Sequence, residues 1–392
     1  MTSIRTRAAL AAAAGAAVAA AAFGAAVPAQ ADVPPGHRGR LLSAGPVAGT
    51  AALPSAAANR TVAYTSEGAD GRPVTVTGTV AIPRGTPPRG GWPVLSWAHG
   101  TTGTADVCAP SADTADGPAH DYLAVTERYL DRWVAQGYAV VQTDYEGLGT
   151  PGGHPYMHGR SEANAVVDIV RAARGLDRRI GRNWYVAGHS QGGHAALFTA
   201  AARQTPRDVR LQGALVLAPG SQTSATPEYV RSGLPGAQAA MPFLFVLLTG
   251  AEAADPAIVP DDLLTDEALP MLQAARTSAC TFGLRKMAEG FDPTKVFRPD
   301  ADLGPLVAYL RSQEPTGLTL RVPALVQQGT ADTLVSPEAT KLLLGDLCER
   351  RDAVAYREYE GADHRALLDA SFADGLRYVE SLRRGDAPPS DC

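Results

Sequence analysis

Gly188-His189-Ser190-Gln191-Gly192, with Gly193 behind it, sets a serine among glycines, directly after the apolar run WYVA and directly before an Ala-rich stretch. A serine on so tight a strand–turn–helix corner needs small neighbours. The helix N-terminus beneath it offers free N–H groups and a positive dipole to a developing oxyanion. The pentapeptide alone occurs by chance; strand, turn and helix in register make it specific. A serine hydroxyl attacks only when a base takes its proton, and the base needs an orienting acid. Asp332 lies in GTADT just past the run VPALVQQ, and His364 lies in GADHR just past a second strand-like run. They follow in the chain order Ser, acid, His that this architecture requires. His364 is the only histidine after His194, so the base has no rival there. Asp363 and Glu360 are weaker candidates for the acid, Asp363 because immediate neighbours rarely point at each other.

An oxyanion needs two backbone donors. One is expected from the N–H of Gln191, the residue after the serine. The other is expected from the loop His99-Gly100-Thr101-Thr102-Gly103 that follows WPVLSWA, where Thr101 or Thr102 would present its N–H. His99 reads as a brace for this loop, and His189 and His194 as packing or hydrogen-bonding residues. Asp144-Tyr145-Glu146-Gly147-Leu148-Gly149 reads as pocket wall. His154 and His158 are four apart, but Pro155 lies between them and no Glu follows His154, so no zinc pair is expected. Met241–Leu248 (MPFLFVLL) fits an acyl tunnel and a buried helix equally well.

The elements around these residues alternate. Strand-like runs at 61–66 and 73–83 switch apolar with polar residues, as antiparallel strands do. Trp92–Ala98, Tyr138–Thr143, Trp184–Ala187 and Leu211–Leu217 read as buried strands. Helices are expected at about 121–136, 161–174 and 191–203 between them. After an irregular stretch the rhythm resumes with a strand at 322–328, a helix at 337–349, a strand at 353–359 and a helix at 365–383. This alternation predicts an α/β fold: a mostly parallel sheet with helices on both faces. Residues of about 220–317 break the rhythm with Pro-separated helical pieces and read as a helical cap inserted on one sheet. The catalytic domain is therefore expected over 61–392, behind an extended arm at 32–60.

Residues 1–31 carry Arg5 and Arg7, an Ala-rich apolar stretch and a small-x-small site at Ala29-Gln30-Ala31, the pattern of an export signal cleaved after Ala31. The net charge of −5 becomes −7 once those two arginines leave. An acidic balance argues against a nucleic-acid partner. Four cysteines, Cys108, Cys280, Cys348 and Cys392, are an even set in an oxidising compartment and allow three pairings. They are too dispersed for a zinc site, so no metal is expected. The serine chemistry calls for no cofactor.

Taken together, HGTTG at 99–103, CAPS at 108–111, DYEGLG at 144–149, GHSQGG at 188–193, GTAD at 329–332 and GADH at 361–364 resemble the secretory lipase family over roughly 60–392. The resemblance implies an α/β-hydrolase fold with a helical cap and hydrolysis of carboxylic esters, acylglycerols included. It implies Ser190, Asp332 and His364 as the triad, and disulfides Cys108–Cys280 and Cys348–Cys392. The expected partner is a small-molecule or lipid ester, with transient contact to a lipid interface. Two other readings compete. One is a secreted serine aminopeptidase, for which Glu252, Asp255, Asp261 and Asp262 in the cap would bind the substrate's amino group. The other is a non-catalytic binding protein, which the intact triad positions and elbow glycines disfavour.

Overall fold

The computed structural model describes residues 38–392 apart from Ala48, Gln204, Thr205 and Arg351. The export signal expected at 1–31 lies outside the described residues. The arm expected at 32–60 contributes, in its described part, strand β1 (Leu41–Pro46) and the start of β2 (Ala56–Glu67). These strands escape a periodicity reading because β1 alternates weakly, with no residue fully buried.

β2, β3 (Pro73–Pro83), β4 (Trp92–Ala98), β5 (Ala139–Thr143), β6 (Ile180–His189), β7 (Arg210–Leu217), β8 (Ala324–Gly329) and β9 (Val354–Tyr359) join β1 in one nine-stranded sheet of order β1-β2-β3-β5-β4-β6-β7-β8-β9. The first pairings are antiparallel, and from β5 through β9 the neighbours run parallel. Side chains alternate across this sheet as a two-residue period requires. In β4, Val94 and Ala98 enter the core on one face while Leu95 and Trp97 enter the other. Helices α2 (Gly159–Leu176), α3 (Gln191–Ala201) and α10 (Pro337–Glu349) cover the first face, and α1 (His120–Ala135) and α11 (Ala366–Arg384) the second. In α1 the buried stripe Tyr122, Tyr129, Leu130 and Trp133 recurs at helical spacing, and Gly137 at φ 83° lets the chain turn into β5. Each such side chain fully buried contributes about 1.5–3 kcal/mol of transfer free energy.

Between β7 and β8 lie helices α4 (Thr226–Ser232), α5 (Ala237–Ala254), α6 (Pro260–Leu263), α7 (Leu269–Thr277), α8 (Thr281–Ala288) and α9 (Gly304–Ser312). They pack on one another through a core of their own, with Leu244, Phe245, Leu272 and Leu306 buried in it. Among the described residues α5 alone is apolar and long enough to cross a membrane, but most of it is buried as the central helix of this group. The disulfides Cys108–Cys280 and Cys348–Cys392 are both present. The second fastens the C-terminal tail beside β9, where Asp391 donates its N–H to Val354 (2.8 Å) and accepts from Tyr356 N–H (2.7 Å). The tail thereby covers an edge strand that would otherwise offer unpaired backbone.

Candidate active site

β6 ends at His189 and α3 begins at Gln191, so the turn between them is the single residue Ser190. Its backbone sits at φ 61°, ψ −117°. Such a conformation costs a residue with a side chain on the order of 1–3 kcal/mol and persists only where the surroundings enforce it. They do so here through the Ser190 N–H, which donates to Leu217 (2.9 Å), and its carbonyl, which accepts from Gly220 (2.9 Å) and His194 (3.1 Å). The glycines on either side are required by contact. A Cβ at Gly188 would run into the Gly192 carbonyl, and one at Gly192 into the Ala98 carbonyl of β4.

Past the ends of β8 and β9, Asp332 and His364 meet: His364 Nδ1 lies 2.6 Å from Asp332 Oδ2. The other carboxylate oxygen accepts the N–H groups of Leu334 and Val335, both at 2.9 Å. Burial alone would raise the Asp332 carboxyl. The hydrogen bond and charge of His364, with the two backbone donors, hold it below the usual carboxylate range instead. With Nδ1 donating to the carboxylate, the neutral ring keeps its free lone pair at Nε2. Asp363 is engaged elsewhere, its Oδ1 accepting from Arg365 N–H (3.0 Å) and Ala366 N–H (2.8 Å) at the start of α11.

Ser190, His364, Thr101 and Thr102 line one space, which widens beside Ser190 into a cavity of about 470 Å³. Thr101 borders both parts, and its hydroxyl is 2.7 Å from the Tyr156 hydroxyl. Thr102 borders only the narrow part, and its carbonyl accepts from Thr281 N–H at 2.8 Å. His99 braces the loop, with Nδ1 on the Gly100 carbonyl at 2.8 Å, and burial lowers its imidazole to about 4. The Cys108–Cys280 bridge lies against the same loop: Gly103 pairs with Cys280, and a Cβ on Gly103 would press on Cys108 Sγ.

Behind Gln191 lies a polar cluster that composition and spacing give no reason to expect. Gln191 Nε2 donates to Glu162 Oε1 (2.8 Å) and to His154 Nε2 (3.1 Å), and His194 Nδ1 lies 3.1 Å from Glu162 Oε2. Burial would raise the Glu162 carboxyl, but the bond and charge of His194 and the Gln191 amide lower it. His194 Nε2 also reaches the Gln313 carbonyl (2.7 Å), so the cluster ties α3 to the end of α9. The buried His154 ring is held by a hydrogen bond to the Glu146 carbonyl (2.8 Å). Glu162 hides in the sequence because α2 reads as an ordinary amphipathic helix.

The sequence model of the Secretory lipase family matches residues 124–388. The chain belongs to the secretory lipase family. With the family comes the activity class, a carboxylic-ester hydrolase. Its fold is similar to that of Candida antarctica lipase A (TM-score 0.75, 19% identity, covering 91% of this chain and 84% of that one). It is also similar to the rice cell wall degrading esterase LipA from Xanthomonas oryzae (TM-score 0.69, 18% identity, 89% and 100%). At these identities the likeness establishes the α/β-hydrolase fold. No functionally curated protein sequence matches this chain.

In this secretory lipase the run 241–248 is part buried helix and part cavity wall. Met241, Leu244, Phe245 and Leu248 are buried among helices α4–α9, while Phe243 and Leu247 border the cavity. The acids that an amine pocket would need are not at the cavity. Glu252 and Asp261 both pair with Arg276, the former at 2.6 Å, and Asp255 receives the Ala257 N–H at 3.0 Å. Among the described residues Asp113, His120 and Glu127 are the one set of donors close enough to share an ion. Asp113 and His120 satisfy each other at 2.6 Å.

Proposed function

We propose that this secretory lipase acts outside the cell on lipid esters, through a Ser190–His364–Asp332 triad and an acyl-enzyme. The observation that carries the reading is a convergence. A serine in a strained turn and a histidine whose Nδ1 is held 2.6 Å from a buried carboxylate face one cavity. Ser190 Oγ attacks the ester carbonyl carbon as His364 Nε2 takes its proton. The carbonyl oxygen becomes an oxyanion held by the N–H of Gln191, at the start of α3, and the N–H of Thr101, which borders both parts of the cavity. Collapse breaks the C–O bond, and His364 returns the proton to the leaving alcohol. Water then attacks the Ser190 ester by the same route, releasing the acid and restoring the serine. Asp332 fixes the imidazole orientation and stabilises the imidazolium while it lasts.

The acyl chain occupies the cavity of about 470 Å³ whose walls include Met157, Phe243 and Leu247. Helices α4–α9, within about 220–317, form the cap over it. Residues 1–31 direct export and are removed, and the two disulfides suit the compartment reached. A fluorophosphonate probe should label the protein, and Ser190→Ala should lose both the label and p-nitrophenyl ester cleavage. Unchanged turnover in that variant refutes the triad.

A further inference from the structure

We propose that His189 is a positioning residue that locks the backbone of His364 and the oxyanion loop at Gly100 into one unit through Tyr122; this rests on the triad reading above. The His189 ring is wholly buried. Its Nε2 lies 2.8 Å from the His364 carbonyl oxygen, and its Nδ1 lies 3.0 Å from the Tyr122 hydroxyl. The same hydroxyl oxygen receives the N–H of Gly100 at 2.9 Å.

Every direction in this chain is fixed by its ends. A carbonyl oxygen only accepts, so His189 Nε2 carries the proton and Nδ1 is the acceptor. Tyr122 must therefore donate to Nδ1, and its oxygen takes the Gly100 proton, which a backbone amide can only give. Burial, with the neighbouring His364 and Arg365, pushes the His189 imidazole far below its usual value, and burial raises the Tyr122 phenol to about 12. Both shifts keep the two groups neutral at pH 7. The ring also lies against that of His364, with centroids 4.4 Å apart and planes tilted by 45°. Gly100 leaves no slack at the other end, since a Cβ there would strike the Tyr122 hydroxyl.

The consequence concerns three groups at once. His189 precedes Ser190 in the chain, holds the carbonyl of the proton-accepting histidine, and through Tyr122 holds the residue before Thr101. Nucleophile, base and oxyanion donor are thus referred to a single side chain. A displacement of 1 Å among such groups costs about 100-fold in rate.

Four substitutions test this on the full-length secreted protein. Asn places an amide oxygen near the position of Nδ1 and Gln an amide nitrogen near that of Nε2, so each keeps one of the two links. His189→Ala should lower kcat for a p-nitrophenyl ester by about 10- to 100-fold while KM changes by no more than about twofold. His189→Gln and His189→Asn should each recover part of that loss. Tyr122→Phe should lower kcat in the native background, yet combined with His189→Gln the loss should fall short of the product of the two, because both cut the Tyr122–His189 link while Tyr122→Phe alone also cuts the link to Gly100. A residue that merely supports the fold would lower thermal stability and leave this split and this non-additivity absent. Independent multiplication of the Tyr122→Phe and His189→Gln losses overturns the proposal, as does wild-type kcat in His189→Ala. Should His189→Ala fail to fold, the Gln and Asn variants decide. Ser190→Ala separates the two readings: if it stays active the triad falls, whereas an inactive Ser190→Ala beside a fully active His189 variant removes only the relay.

Discussion

Replacing both members of the Cys108–Cys280 bridge by alanine should impair catalysis, while the same change at Cys348–Cys392 should impair stability alone. Alanine is the proper replacement because Cys108 and Cys280 are wholly buried, and serine would strand two hydroxyl groups. The bonds close segments of 172 and 44 residues. Chain-entropy reasoning then assigns the first about 5 kcal/mol and the second about 4 kcal/mol, both as upper values. The two deletions should therefore move the urea midpoint by similar amounts. Their surroundings differ. Cys280 pairs with Gly103, and Thr281 N–H donates to the Thr102 carbonyl at 2.8 Å, so the first bond clamps the loop carrying Thr101 to the start of α8. The second clamps a tail remote from Ser190. A loosening of about 1 Å in the oxyanion donor proposed at Thr101 corresponds to about 100-fold in kcat. The assay is p-nitrophenyl ester turnover at a temperature where both variants are folded by circular dichroism, alongside urea unfolding. Intact kcat in the folded Cys108/Cys280 double variant would show that the loop keeps its place without the bond.

Two further outcomes follow from the site and its margin. Glu127 is half-buried near Asp113, and burial followed by that negative charge raises its carboxyl to about 7. Since the unfolded value is near 4.5, the folded chain binds the extra proton between those values and loses relative stability as pH climbs through the window. Glu127→Gln should therefore raise the melting temperature at pH 8 and leave it unchanged near pH 4.5; equal shifts at both would refute the assignment. Ala240 borders the cavity beside Phe243, and Ala240→Phe should shorten the preferred acyl chain. Each methylene so excluded loses about 0.8 kcal/mol, roughly fourfold in kcat/KM, in a series of p-nitrophenyl esters from acetate to palmitate. An unchanged chain-length profile would place the acyl group elsewhere.

What the residues disclose in advance, and what they conceal, divides along a physical line. Elements whose burial is periodic announce themselves: the strands at 92–98 and 184–187, the α1 stripe and the apolar α5 are all legible from spacing. The Ser190 corner is legible for the same reason, because a turn with carbonyls of Gly192 and Ala98 pressed against it tolerates only glycine at 188 and 192. His364 and Asp332 are legible through order along the chain. β1 and the start of β2 are not, since β1 sits at an edge and buries little. Nor are the polar partnerships that cross long stretches of sequence. Tyr122 and His189 stand 67 residues apart, and Gln191 and Glu162 stand 29 apart. Each taken singly has an ordinary explanation: Tyr122 as a rung of the α1 stripe, His189 as packing, Glu162 as one charge on a helix. Hydrogen bonding is directional and local in space but carries no period in sequence, so only the folded sheet brings these groups together. The residues proposed to react can therefore be picked out from motifs. The groups that hold them to within a fraction of an ångström are supplied by tertiary contact, at residues whose types look unremarkable one at a time.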